Sequence, residues 1–283
     1  VSDLALTEEQ AGQNWKLIIA YDGTDYKGWQ VQPGQVTVQG ELQEALGRVT
    51  GEAPLPQGSG RTDAGVHALA QVASFELQAG IPEENLLRAL NRTLPESIRV
   101  LSAERVAAGF HARYSTVAKT YEYRVFVERV NGEPRRICPP FLARYVLAYP
   151  WPLSLDALQE AAKAFIGTFD FLSFAATDPD QTMRESVLED EDGEPVKNAI
   201  RTVFGSAWHE ERTADGVLMI YRVRGSGFLH HMVRNMVGTM LDVGRGYTEA
   251  SAIPAMIAAR ARAAAGPTAP ARGLFMHSVE YPE

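Results

Sequence analysis

At 283 residues, 45% hydrophobic and with a net charge of −8, the chain can bury a substantial core as one large domain or two of ordinary size. No run of about 18 apolar residues exists to cross a bilayer, and Asp3, Glu8 and Glu9 precede any apolar stretch, which excludes a signal-peptide pattern. Cys138 stands alone, so an internal disulfide and a thiol metal cluster are both excluded, and a cytoplasmic protein is expected.

Residues 1–13 read as a flexible tail. The first predicted element is a strand over Trp15–Tyr21. Val38, Leu42, Ala45, Leu46 and Val49 then recur at helical spacing behind Thr37, a suitable N-cap. The next segment, Gly60-Arg61-Thr62-Asp63-Ala64-Gly65-Val66-His67-Ala68, sets one carboxylate and one guanidinium in a short loop hemmed by glycines. Glycine admits backbone conformations closed to other residues and lets a ligand approach closely, so an acid held here suits chemistry better than packing. A strand over Val66–Leu77 anchors the loop's far end. Pro82 opens a helix through Leu90, and Ser97–Val106 reads as a strand.

Phe110-His111-Ala112-Arg113, with Arg105 before it and Lys119 and Tyr121 after it, interleaves cations with aromatics. That pattern suits nucleic acid, where cations meet phosphates and rings stack on unpaired bases, but it equally decorates a half-buried strand. Lys119–Val127 alternates so that Tyr121, Tyr123, Val125 and Val127 share a face. A helix over Leu155–Ile166 follows Ser154. Between Asp178 and Asp215 there are 11 acids against 4 lysines and arginines, whereas the rest of the chain has 24 acids against 23 bases. The acidity therefore belongs to one insertion, near 178–198, whose run Glu189–Glu194 reads as a mobile, solvated loop. What remains can still present a basic groove to a polyanion.

Strands are predicted over Ala199–His209 and Val217–Arg224, a helix over Phe228–Leu241, an alanine-rich helix over Glu249–Ala264 and a last strand over Leu274–Tyr281. On the Phe228–Leu241 helix, His230, His231 and Arg234 fall opposite the apolar arc. Neighbouring histidines on a helix diverge by about 100° and no His-Glu-x-x-His spacing occurs, so no zinc site is expected. The whole reads as α+β: two ferredoxin-like, RRM-like split β-α-β halves, 14–110 and 111–283, forming a mixed, largely antiparallel sheet backed by helices, with an active-site cleft between them.

Taken together, Leu17–Gln30 with Thr37–Leu42, the Gly60–Ala68 loop, Lys119–Tyr123 and Phe228–Asn235 resemble the tRNA pseudouridine synthase A family, in the family's order. The resemblance runs from about residue 15 to the closing Pro270-Ala271-Arg272-Gly273-Leu274. Two departures stand out. Phe169 occupies the place of a usual histidine in Gly167-Thr168-Phe169-Asp170-Phe171, and the acidic insertion is long.

The resemblance implies an enzyme that detaches uracil from its ribose and rejoins it through carbon 5, with no metal or cofactor. It implies Asp63 as the essential acid, acting as nucleophile or base; at a pKa of about 3.9 an exposed aspartate is ionised at neutral pH. Arg234 would orient Asp63, Tyr121 would stack on the target base and carry the carbon 5 proton, Arg61 would fill the space left by the flipped uridine, and Leu274 would pack beneath the ring. His67, Arg113, Lys119 and His231 are further candidate RNA contacts. The implied substrate is the anticodon arm of tRNA at positions 38, 39 and 40, worked on by a homodimer. Two rivals fit single features only: an RNA-binding protein without catalysis, and a hydrolase pairing Asp63 with His67.

Overall fold

The computed structural model describes residues 12–176 except 131 and 134, residues 188–189 and 195–196, and residues 199–282. The expected tail over 1–13 falls outside these residues apart from its last two, and Gln13 already pairs with Leu77. In chain order the strands are β1 (Gln13–Tyr21), β2 (Gln57–Gly58), β3 (His67–Leu77), β4 (Ile98–Arg105), β5 (Ala118–Val127), β6 (Leu147–Tyr149), β7 (Gly167–Asp170), β8 (Leu188–Glu189), β9 (Pro195–Val196), β10 (Ile200–Arg212), β11 (Val217–Gly225) and β12 (Leu274–Glu280). The helices are α1 (Val38–Thr50), α2 (Glu83–Thr93), α3 (Pro140–Ala143), α4 (Leu155–Lys163), α5 (Met232–Gly244) and α6 (Ile253–Ala258).

One mixed, largely antiparallel sheet runs through the molecule in the order β4-β1-β3-β12-β5-β11-β10-β7. The last strand in the chain, β12, is central. It lies parallel to β3, with Phe275 opposite His67, and antiparallel to β5, with Met276 opposite Tyr121. Strand β1 alternates as the sequence pattern requires, sending Trp15, Leu17 and Ile19 into the core with no exposed surface. Helix α1 starts where Thr37 accepts from the Gly40 amide and buries Val38, Leu42, Ala45 and Leu46 in the same core. Fully burying one such leucine is worth about 1.5–3 kcal/mol. Ser154 caps α4 in the same way, and α4 packs on β10 and α5.

Three expectations need correction. The helix predicted over Phe228–Leu241 begins at Met232: Met232 donates to the Leu229 carbonyl in a turn, and His231 takes a left-handed conformation, φ 59°. The helix predicted over Glu249–Ala264 is a six-residue α6 between short 3-10 turns, with Pro254 in its first turn and a left-handed Arg260, φ 50°, beyond its end. Helix α4 stops at Lys163, three residues early. Within the acidic insertion, β8 and β9 form a two-residue antiparallel ladder. The loop expected at Glu189–Glu194 lies outside the described residues except for Glu189, the last residue of β8.

Among the described residues, no helix is long and apolar enough to cross a membrane.

Candidate active site

Asp63 sits in the turn between β2 and β3, where Val66 donates back to the Asp63 carbonyl at 3.1 Å and Gly65 adopts φ 78°. Backbone from the segment after β1 cradles this turn. Trp29 donates to the Thr62 carbonyl at 3.0 Å, and the Tyr21 hydroxyl bonds the Thr62 hydroxyl at 2.7 Å. The approach is so close that a β-carbon on Gly23 would stand 1.9 Å from the Val66 carbonyl oxygen. On the other side Gln71 donates to the Gly60 carbonyl at 2.8 Å. A loop tied at this many points can hold a carboxylate in one place.

Three groups meet that carboxylate. Arg234, from the first turn of α5, donates Nη1 to Oδ2 at 2.7 Å. His231 Nε2 lies 3.2 Å from Oδ2 and His230 Nε2 lies 3.2 Å from Oδ1. Burial pushes the Asp63 carboxyl upward, but the imidazole hydrogen bonds and charges outweigh it and hold the group well below the usual carboxylate range. Asp63 is therefore ionised at any physiological pH. Arg234 is itself fixed, because its Nε donates to the Ala269 carbonyl at 2.7 Å and its own carbonyl accepts from the Ala269 amide at 3.0 Å. Asn235, fully buried, bonds the Phe174 carbonyl and the Thr268 hydroxyl and so ties the 262–269 segment to α5.

The carboxylate opens onto a cleft of ≈ 670 Å³ whose lining includes Lys27, Gln30, Gln32 and Arg61. Among the described residues of that lining Asp63 is the one acid, against Lys27, Arg61 and Arg234, so they form a locally cationic wall although the chain carries −8. A narrower, more apolar recess of ≈ 30 Å³ lies beside it, with Tyr121, Phe228, Val66 and Leu274 in its walls together with Asp63, Arg61 and Arg234. Tyr121 is 5% exposed and meets the Phe228 ring edge-on at 5.2 Å. The pairing of β12 with both β3 and β5 is what brings the Asp63 turn and Tyr121 to one recess.

Asp63, Arg61, Tyr121, His231, Arg234 and Leu274 thus converge from the β2–β3 turn, β5, α5 and β12. Arg61 makes no hydrogen bond or ion pair among the described residues and lines both cavities. Arg113 and Lys119 line neither; Lys119 is buried in β5 opposite Gly225, and Arg113 rests over the Tyr114 ring. His67 is turned away and buried. Its Nδ1 accepts from the Gly23 amide at 3.0 Å, its Nε2 lies 3.2 Å from the carbonyls of Arg144 and Arg272, and its ring stacks on Phe275. It is a structural tie and is not on the cleft wall. Phe169, in β7, is also absent from the lining.

The sequence pattern missed His230 and misread how two adjacent histidines can lie. Because the chain reaches α5 through a left-handed turn, both rings fold onto the same carboxylate, 4.0 Å apart, instead of diverging. Asp63, His230 and His231 each bring a potential metal-ligand atom within 4.8 Å of the others. The only sequence signal for this was the His-His pair itself.

Comparison with known proteins gives the same direction. The family model for tRNA pseudouridine synthase matches residues 17–115 and 161–282. The chain is 48% identical over 267 residues to tRNA pseudouridine synthase A of Solibacter usitatus, covering 94% of this chain and 98% of that protein. It is 42% identical to the protein of that name from Bacillus pumilus and 44% to that from Moorella thermoacetica, each over 268 residues with the same coverage. The chain belongs to the tRNA pseudouridine synthase family.

Proposed function

We propose that this member of the tRNA pseudouridine synthase family isomerises uridine to pseudouridine at positions 38, 39 and 40 of the tRNA anticodon arm. One observation carries the reading: an ionised aspartate, clamped by an arginine from a distant helix, at the bottom of a cationic cleft beside a buried tyrosine. In the reaction the bond from ribose C1′ to uracil N1 breaks, a bond from C1′ to C5 forms, the C5 proton leaves and N1 gains a proton from solvent. Asp63 serves the sugar end. Held ionised, its carboxylate is in the form needed either to attack C1′ or to take a sugar proton. Tyr121 stacks against the base and takes the C5 proton, and Leu274 supports the ring.

At ≈ 30 Å³ the recess beside Tyr121 is small against the ≈ 670 Å³ cleft that adjoins it. Entry of the flipped base therefore requires side chains over it to move. Arg61, with no ion pair among the described residues to lose, is suited to enter the gap that the base leaves in the RNA stem, offsetting part of a flipping cost of a few kcal/mol. Two surface features support a homodimer: Ile137 and Phe141 are 86% and 92% exposed and only four residues apart. The division into halves near residue 110, and a place in the cytoplasm, belong to the same proposal.

The decisive experiment is incubation with an unmodified tRNA followed by mapping of pseudouridine along it. Modification at 38, 39 and 40 is expected, and modification confined to another arm overturns the positional reading. Asp63→Ala is expected to abolish turnover while leaving RNA binding intact; isomerisation by that variant would remove the central role.

A further inference from the structure

Two imidazoles on one carboxylate are more than an orienting arginine needs. The geometry points to a transition-metal site formed by Asp63, His230 and His231, whose occupation by Zn²⁺ silences the enzyme by claiming its carboxylate. The inhibitory half of this inference rests on the catalytic reading of Asp63; the binding half does not.

The spacing already suits a metal. His230 Nε2 and His231 Nε2 each stand 3.2 Å from an Asp63 oxygen, and one ligand atom from each residue lies within 4.8 Å of the other two. With bonds near 2.0 Å, the ligand atoms around tetrahedral Zn²⁺ are about 3.3 Å apart. Small rotations of the rings would close the set. The backbone favours the same arrangement, since His231 holds φ 59° despite its β-carbon, a left-handed conformation that ordinarily favours glycine.

Position and donor chemistry agree with this. The His230 and His231 side chains are 43% and 29% exposed and line the ≈ 670 Å³ cleft, which leaves space for water in an open coordination position. Arg234 binds Oδ2, so a metal on Oδ1 need not displace it. Two imidazoles and one carboxylate select Zn²⁺ or Co²⁺ over Mg²⁺, which prefers oxygen ligands, so the Mg²⁺ that accompanies folded tRNA does not compete.

The test begins with metal-free protein and no RNA. Titration with Co²⁺ is expected to give one equivalent per chain, with the visible absorption of a four-coordinate ion, and Zn²⁺ is expected to displace it. His230→Ala, His231→Ala and Asp63→Asn, each checked for unchanged circular dichroism, should weaken Zn²⁺ binding about tenfold or more. In wild type, Zn²⁺ should stop tritium release from tRNA labelled at uridine C5, and EDTA should restore it. Metal binding unchanged in all three variants overturns the site. Full turnover at saturating Zn²⁺ overturns the inhibition. A metal-free wild type that binds Co²⁺ as expected yet never releases tritium leaves the site standing and sinks the functional reading instead.

Discussion

Arg234 bridges Asp63 Oδ2 and the Ala269 carbonyl, with Nη1 and Nε each donating at 2.7 Å, so one guanidinium fixes the carboxylate to the segment that leads into β12. Arg234→Lys keeps the charge but cannot make both bonds at once. Its kcat is expected to fall by about 10²-fold, the scale of a misplaced catalytic group, with little change in RNA affinity. Single-turnover kinetics beside a filter-binding titration would measure the split, and a wild-type rate would return Arg234 to a purely structural role.

Tyr121→Phe retains the ring that packs against Phe228 and lines the recess. Stacking should survive and affinity for tRNA should hold. Loss of the hydroxyl is expected to slow turnover by about 10²–10⁴-fold, the usual contribution of a positioned proton-transfer group. An unchanged rate in the tritium-release assay would remove the proton-transfer role.

Gly23→Ala places a β-carbon 1.9 Å from the Val66 carbonyl oxygen, a backbone atom that cannot swing aside. We expect about 1–3 kcal/mol of destabilisation by urea unfolding, together with reduced activity, because the displaced backbone lies three residues from Asp63. Gly80→Ala meets nothing within 4 Å and serves as the neutral control.

Much of this was legible in the sequence where local chemistry decides structure. Thr37 and Ser154 announced their helices because their hydroxyls accept from amides three residues on. The alternation of β1 and β5 announced strands. What escaped was set by single backbone angles or by pairing between distant residues. No glycine or asparagine marks the left-handed turn at His231, so helical spacing ran straight through it, and with it went the convergence of both imidazoles on Asp63. His67 carried the signature of an active-site residue, and only the arrival of Arg144 and Arg272 carbonyls from distant segments marks it as a buried tie.

Acid should loosen the sheet at β5. Glu122 is 2% exposed; burial raises its pKa, but Arg222 and Arg124, each donating at 2.7 Å, outweigh that and leave it lowered. A group whose pKa is lower in the folded state stabilises the protein fully above its unfolded value and loses that contribution as pH falls through the folded value. Melting temperatures should therefore drop as pH is lowered from about 4.5. Glu122→Gln should flatten that dependence and cost about 2 kcal/mol at pH 7; a variant with the same acid profile as wild type would refute the assignment.

The place of β12 bears on how the molecule comes into being. Ribosomes release β3 and β5 long before Leu274–Glu280, the strand that must lie between them. Until those seven residues emerge, the stretches of β3 and β5 that β12 pairs, at His67–Ala68 and Ala118–Tyr123, stay open, and an interrupted chain ending before Leu274 would present both to any other unfinished copy. The same strand carries Leu274 into the recess and aligns Tyr121 with the Asp63 turn. On the proposed assignment of Asp63, Tyr121 and Leu274, the site is complete only once that strand is in place, and a chain cut short before it is expected to be both inactive and prone to self-association.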